Sequence, residues 1–487
     1  MRWPLAVLLA GSLATGVHGA THVVNPEGTG DFPTIQAAID AAEAGDVVEL
    51  TDGVFTGDGN RDLDPGGKAI TVRSQGGVAA ACVLDCEGSS EDRHRAFHIR
   101  CGEGPGTVIR DLTVRGAWHD SLGAGMWIDG ASPTVGGCLF TANIGHRGGA
   151  IGMTGSAEPE VRDCRFVENR ADAGGALCLR EASAPLLVDC TFHANRANFE
   201  AAAICCYDES APTVTDCLFL ENVATYRAGG ILTFDDSGPV LVTGSTFMGD
   251  STRNGAGAYC CGGSVATFRA CTFHREEAAG FGAGLYASCS GHAVMERCLV
   301  TGSVDGNGVD MINEAAITLT CCNIHGNLEG DWVESIAVQY GQVGNFSADP
   351  LYCDPNRTQL DLDHHSPCLP GRHPDGFDCG VIGAWPVGCP SVGVEEGRWT
   401  HRFHCAPNPF SGRCDLVFSA PRAASLSIID VAGRRIRHLT KSLSGAGQHR
   451  LVWDGTDDAG RLVAPGFYYG CLQWGDERAV RPLVLIR

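Results

Sequence analysis

Four stretches of the chain decide its fold: PTVGGCLFTAN at 133–143, PEVRDCRFVEN at 159–169, PLLVDCTFHAN at 185–195 and PTVTDCLFLEN at 212–222. Their cysteines, Cys138, Cys164, Cys190 and Cys217, stand 26, 26 and 27 residues apart, and weaker copies continue through Ser245, Cys271, Cys298 and Cys322. Within a copy the apolar residues alternate, as in Val161, Cys164 and Phe166 or Val214, Cys217 and Phe219. Between copies lies a glycine patch: GGAI at 148–151, GGAL at 174–177, AGGI at 228–231. Short β-branched and aromatic runs bounded by Gly, Pro, Ser and Asn are strand and turn signals. A unit with roughly two or three such strands cannot bury its own apolar face, whereas stacked identical units can. The spacing therefore predicts an all-β, right-handed parallel β-helix of roughly ten coils.

Stacking gives the repeated residue types a purpose. Phe140, Phe166, Phe192, Phe219, Phe247 and Phe273 are expected as an inward aromatic column. Asn143, Asn169, Asn195 and Asn222 are expected as an asparagine ladder at a turn, and the four cysteines as a column of small buried hydrophobes. At the start, Thr34 to Ala42 puts Ile35, Ala38, Ile39 and Ala42 on one stripe, a short helix suited to capping the open end of the solenoid. Beyond Asp349 the repeat dissolves into a Pro/Cys/Gly-rich stretch. The alternation of Leu416 to Ile429 and Leu451 to Trp453 then marks an antiparallel Ig-like β-sandwich. The expected organisation is a signal peptide at 1–20, a cap with the short helix at 21–56 and coils at 57–345. A terminal coil, cap and linker follow at 346–400, and the Ig-like domain at 401–487.

Composition narrows the partners. The 487 residues carry 35 Lys plus Arg against 57 Asp plus Glu, a net charge of −22. That argues against nucleic acid and anionic membranes, which need a basic face. The 66 glycines have no Gly-X-Y period, and 44% hydrophobic content with 19% charged residues excludes global disorder. Arg2, the apolar run Leu5 to Leu13 and the small exit at Val17, Gly19 and Ala20 read as a secretory signal peptide. The 24 cysteines fit an oxidising compartment, and no further apolar run is long enough to span a membrane. The expected location is outside a bacterial cell, secreted or on its surface.

The residues also resemble known families. FTANIGHRGGAI, FVENRADAGGAL and FLENVATYRAGGI look like the repeats of chlamydial polymorphic outer-membrane proteins, surface adhesins on a β-helix whose membrane barrel has no counterpart here. GTGDFPTIQAAIDAAEAGDVVELTDGVFTG is similar to the start of pectinesterases and other pectin-lyase-like proteins. NFSADPLYCDP with SPCLPGR and CGVIGAW resembles the terminal coil of bacterial right-handed β-helix repeat proteins. PNPFSG, IIDVAGRRIRHL and LVWDGTDDAGRLVAPGFYYG look like the Ig-like domain of flagellar hook-capping proteins, relatives of which are sorting modules of type IX-secreted proteins. These resemblances imply architecture strongly and activity weakly.

None of the catalytic sets of those enzymes transfers. Between Gln75 and Gln342 there is a single glutamine, Gln339, and no Asp-Phe-Ile-Phe-Gly segment of a pectinesterase. Gly291-His292-Ala293 lacks the second glycine of a polygalacturonase turn, Asp235-Asp236 lies in another context, and Gly130 ends MWIDG where pectate lyases have His.

One constellation goes beyond the families. Four residues before Pro133, Pro185, Pro212 and Pro239 stand Asp129, Glu181, Asp208 and Asp235, with Glu209 and Asp236 beside the last two. Coils about 4.8 Å apart would line these carboxylates up along one edge. Tyr207 and Phe234 precede two of the acids and are expected on the surface, an aromatic-plus-carboxylate strip for glycans or for calcium held by Asp208 and Asp235. The competing reading is a solvated turn row.

Smaller features carry less. Asp58, Asn60, Asp62 and Asp64 alternate like a calcium loop but read as a plain turn, and His364-His365 as surface without a partner at metal spacing. Cys205-Cys206, Cys260-Cys261 and Cys321-Cys322 should each send one thiol outward, and Cys353, Cys368, Cys379 and Cys389 are the disulfide candidates. The leading function is a secreted or surface-displayed, non-catalytic module that binds a polysaccharide or cell-surface partner, with the C-terminal domain addressing sorting machinery. The alternative is a polysaccharide lyase or glycoside hydrolase.

Overall fold

The computed structural model describes residues 19–354 and 359–388, and from the C-terminal part 404–406, 410, 412–420, 424–430, 434–443, 447–464, 466–474 and 477–485. The expected signal peptide lies outside the described residues except for Gly19 and Ala20. No helix among the described residues is long and apolar enough to cross a membrane.

The repeat winds into a right-handed parallel solenoid. A 12-stranded sheet runs from Thr21–Val24 to Ala316–Thr320, an 11-stranded sheet from Gly53–Phe55 to Asn323–His325, a 9-stranded sheet from Phe97–Ile99 to Val309–Met311 and a 7-stranded sheet from Trp118–Leu122 to Glu277–Phe281. The coil from Thr134 shows the order: Thr134–Gly136, Leu139–Thr141, Ile144–Arg147 and Ile151–Thr154 take one strand in each sheet. There are twelve strand positions along the axis, not roughly ten, because Thr21–Val24 and Val47–Leu50 already pair in register ahead of the recognisable repeat. The coil also has a fourth strand, which the alternation hides because its residues, such as Ile144 and His146, face solvent.

The expected columns form. The six phenylalanines are all buried, and neighbouring rings lie 4.4–5.4 Å apart at interplanar angles of 6–13°. Asn143, Asn169 and Asn195 each donate from Nδ2 to the next ladder oxygen at 3.0–3.1 Å. The column cysteines do more than fill space: Cys164 and Cys190 donate to the carbonyls of Val135 and Val161 at 3.6 and 3.5 Å. Burial holds the Cys164 and Cys217 thiols well above the ordinary value, which keeps them protonated and poor metal ligands.

The helix spans Ile35–Ala41; the Thr34 hydroxyl accepts from the Ala37 amide at 3.2 Å, and Ile35, Ala38 and Ile39 are buried. Both thiols of Cys205-Cys206 and of Cys260-Cys261 are buried, contrary to the alternation, because the outer face of the 9-stranded sheet is itself covered. Past the last coil the chain turns back over the solenoid. Gly383 donates to the Arg297 carbonyl at 2.8 Å, Ala384 to the Thr272 hydroxyl at 3.0 Å and the Trp385 indole to Thr246 at 2.9 Å. Cys379 in this strap is disulfide-bonded to Cys321, with 5.6 Å between their Cα atoms. Cys353 is also in a disulfide, Cys368 is a free buried thiol, and Cys389 lies outside the described residues.

The C-terminal part forms antiparallel sheets of three and four strands, from His404–Ala406 to Glu477–Leu485. They enclose a separate core that includes Phe410, Leu416, Phe418, Ile428, Trp453 and Leu472.

Candidate functional site

The 7-stranded and 9-stranded sheets meet along a corner made by the glycine patches. Gly148 and Gly174 sit at φ 65° and 64°, where L side chains are strained, and a Cβ on Gly149 would run into the Gly175 carbonyl. This tight corner brings the ends of the 7-stranded sheet beside the outward ladder of the 9-stranded sheet. That ladder reads Trp127, Gly152, Cys178, Cys205, Leu232, Tyr259 and Tyr286. Cys178, Cys205 and Leu232 in its middle are buried under Ala173, Ala201, Tyr207 and Ala228, and a separate hollow opens beside the large residues at each end.

The N-terminal hollow, about 290 Å³, is lined by Trp127, His146, Arg147, Thr154, Arg180 and Glu181 together with Ser121 and Leu122. The Trp127 indole donates to Thr154 at 3.0 Å, its ring stacks on His98 at 4.4 Å, and the Arg95 guanidinium lies 5.2 Å from its centroid. Burial and then Arg95 lower the His98 pKa, so this imidazole is a neutral platform for the indole. At the rim, His146 Nδ1 lies 2.8 Å from the Asp172 carboxylate, which hydrogen bonds from Asn198 and His146 hold below its ordinary value.

The C-terminal hollow, about 390 Å³, is walled by Tyr226, Tyr259, Phe281 and Tyr286, with Arg227, Arg253, Asn254, Ser288 and Asn313 as its polar groups. Tyr259 and Tyr286 stack at 5.2 Å, and no carboxylate lines the hollow. Arg227 is paired with Glu200 at 2.9 Å, while Arg253 makes no ion pair among the described residues. Five strand steps of the sheet separate Trp127 from Tyr259, a span of about 24 Å.

The acidic row lies on the turns after the 9-stranded sheet, and of its members Glu181 lines the N-terminal hollow. Successive turns are hydrogen-bonded to each other, Ala182 donating to the Asp208 carbonyl at 2.7 Å and Asp236 to that of Gly262 at 2.9 Å. Glu181, Asp208, Glu209, Asp235 and Asp236 all have φ of 51–62°, a conformation that Asp tolerates better than most residues. Asp129 accepts from the Thr154 hydroxyl at 2.9 Å and Glu181 from the Gly155 amide at 3.2 Å. Asp208 is ion-paired with Arg180 at 2.7 Å, an arginine that the count of carboxylates before prolines passes over. Burial and the neighbouring Asp208 and Asp236 raise the Asp235 pKa, and Asp235, Asp236 and Glu209 make no ion pair among the described residues.

Of the two aromatics placed with the row, Tyr207 is only 8% exposed, not on the surface as the alternation suggests. Its hydroxyl donates to Glu200 at 2.8 Å and the Arg147 guanidinium lies 5.6 Å from its ring centroid. Phe234 is half-buried, edge-on to Tyr207 at 6.1 Å. The residues with the most accessible chemistry, Trp127, Arg147 and Arg180 in one hollow and Arg253 and Phe281 in the other, escaped the sequence reading. Only the strand register, invisible without the coil boundaries, assembles each hollow.

Among the described residues, ligand atoms of Asp363, His364 and His365 converge within 4.8 Å, as do those of Asp64, Cys101 and Glu103. His364 and His365 are exposed as expected, but Asp363 stands against both, at 3.4 and 3.0 Å. The Asp58 to Asp64 stretch is a turn whose acids point to different partners, Asp58 to Arg61 and Asp62 to His94.

Residues 95–273 match the family model of the right handed beta helix region. The solenoid is a right-handed β-helix region. Residues 408–470 match the FlgD Ig-like domain. No curated protein matches the chain. Among solved structures, the β-helix is similar to pectate lyase Pel9A, at 12% identity and a TM-score of 0.47 over 76% of this chain and 96% of that one. It is also similar to a PL6 alginate lyase in complex with a trisaccharide, at 12% identity and a TM-score of 0.35 over 55% of this chain and 56% of that one.

Proposed function

We propose that this is a secreted or surface-displayed β-helix protein that binds a polysaccharide or cell-surface glycan across the two hollows, without chemistry, and that its C-terminal domain serves sorting or anchoring. The observation that carries the reading is the pairing of aromatic side chains with arginines in two hollows along the same sheet, in a chain of net charge −22. Aromatic faces cover the apolar faces of sugar rings, and guanidinium groups bond hydroxyl and carboxylate oxygens in planar forks. Two hollows about 24 Å apart on one sheet suit an extended chain better than a small ligand.

The test is a glycan array probed with the full chain, followed by titration of the best oligosaccharide into Trp127→Ala and Arg253→Ala. Each substitution should weaken binding about tenfold, the equivalent of ~1.4 kcal/mol. Binding unchanged in both variants sinks the reading of the hollows as the glycan site. His146 with Asp172, beside Arg147, favours the second reading, a polysaccharide-degrading enzyme, because a base next to a cation is what proton abstraction from a sugar acid needs. New reducing ends or unsaturated products from the bound glycan, lost in His146→Ala, would replace binding by catalysis.

A further inference from the structure

The buried ladder at the turns between the 11- and 7-stranded sheets changes chemistry part-way along the solenoid. Each asparagine Nδ2 bonds the next ladder oxygen and also a carbonyl one coil back. For Asn169, Asn195 and Asn222 that carbonyl is Phe140, Phe166 and Phe192, at 3.0, 2.8 and 3.0 Å. The strand register then places Asp250 and Glu276 at the next two positions. Asp250 Oδ1 fills the ladder role, accepting from the Asn222 amide at 2.7 Å and from its Nδ2 at 2.9 Å. Asp250 Oδ2 stands where the other members carry an NH₂ group, and register sets the Phe219 carbonyl opposite it. Asp250 is 0% and Glu276 1% exposed; Asp250 Oδ2 lacks a hydrogen-bond partner, and the Glu276 carboxyl has only the backbone amides of Asp250 and Gly249 turned toward it.

An acceptor in a donor's place, out of reach of water, is costly unless a proton converts it to a donor. We propose that Asp250 and Glu276 form a proton-holding rung, carried as carboxylic acids at neutral pH. Its ionisation at alkaline pH loosens the strands Ser251–Asn254 and Glu277–Phe281, which bring Arg253, Asn254 and Phe281 to the C-terminal hollow.

The surroundings offer no other way to neutralise the pair. From the preceding turn Glu221 faces Asp250, and it is negative itself, with His193 at 3.7 Å. At the following position the Ser303 hydroxyl is given to the Gly306 carbonyl at 2.9 Å. No Lys, Arg or His bonds either acid among the described residues. Burial pushes Asp250 up to about 8, and burial with the adjacent Asp250 pushes Glu276 well above the carboxylate range. The unfolded chain loses these protons above pH ~4 while the folded chain keeps them. Each retained proton therefore lowers the folding equilibrium constant about tenfold per pH unit, until the folded rung ionises. The rung holds whether or not the hollow binds a glycan.

The experiment compares thermal unfolding of the full chain from about pH 5 to pH 9 for wild type, Asp250→Asn, Glu276→Gln and the double variant. The amide restores the ladder donor, so the variants should melt with a flatter pH dependence and should surpass wild type at the alkaline end. Hydrogen–deuterium exchange of 251–254 and 277–281 in wild type should rise toward pH 9 beyond the rise in the control strand Arg165–Val167, and the double variant should suppress that excess. Identical pH dependences for wild type and double variant would overturn the proposal. So would a double variant unfolded at neutral pH, since a neutral amide must be able to stand in for a neutral acid.

Discussion

Phe192 lies between Phe166 at 4.9 Å and Phe219 at 4.8 Å, the three rings nearly parallel and none exposed. Phe192→Ala removes one ring from a column whose neighbours are held by sheet register and cannot close the gap. Chemical denaturation should register a loss of about 3–5 kcal/mol in the β-helix, with the Ig-like domain unaffected. At this scale sequence reading works where one residue type recurs at one spacing. The phenylalanines, asparagines and cysteines are legible because stacked identical side chains satisfy one another. Asp250 and Glu276 occupy the same ladder but are a different chemical type, so repetition alone passes over them. Tyr207 misleads for another reason: alternation tells inside from outside of one sheet, and cannot tell that a second sheet's edge covers the outside.

Among the elements, the stacked turns pose the sharpest question. Left-handed backbone at Asp208-Glu209 and Asp235-Asp236 favours the aspartates, although Ala182 and Ser290 take the same conformation on neighbouring turns, and Arg180 already neutralises Asp208. A calcium ion shared by Asp208 and Asp235 would have to displace that arginine. Under the calcium proposal, millimolar calcium raises the melting temperature, by about 2.7 kcal/mol of stability at a hundredfold excess over Kd. Asp208→Asn with Asp235→Asn removes the shift. A melting temperature indifferent to calcium leaves the row as turn chemistry. The row itself is legible from its distance to the turn prolines; its arginine is not, because Arg180 stands at the position that Tyr207 and Phe234 fill on the next two coils, so no residue type repeats there.

For the whole molecule, two separate hydrophobic cores predict independent melting. Deleting residues 407–487 should leave the β-helix transition in calorimetry unchanged and redistribute the protein between cell surface and medium. Unchanged fractionation in the native host would leave the module without a sorting role. The backward strap bears on how such a chain carries load. A bare stack pulled at its last coil peels one coil at a time, breaking a few hydrogen bonds per step. Here tension arriving from the C-terminal side meets residues 383–385 lying across Arg297, Thr272 and Thr246, with Cys379 bolted to Cys321. Three coils then share the load, so parting the last one takes more than the few hydrogen bonds that join it to its neighbour.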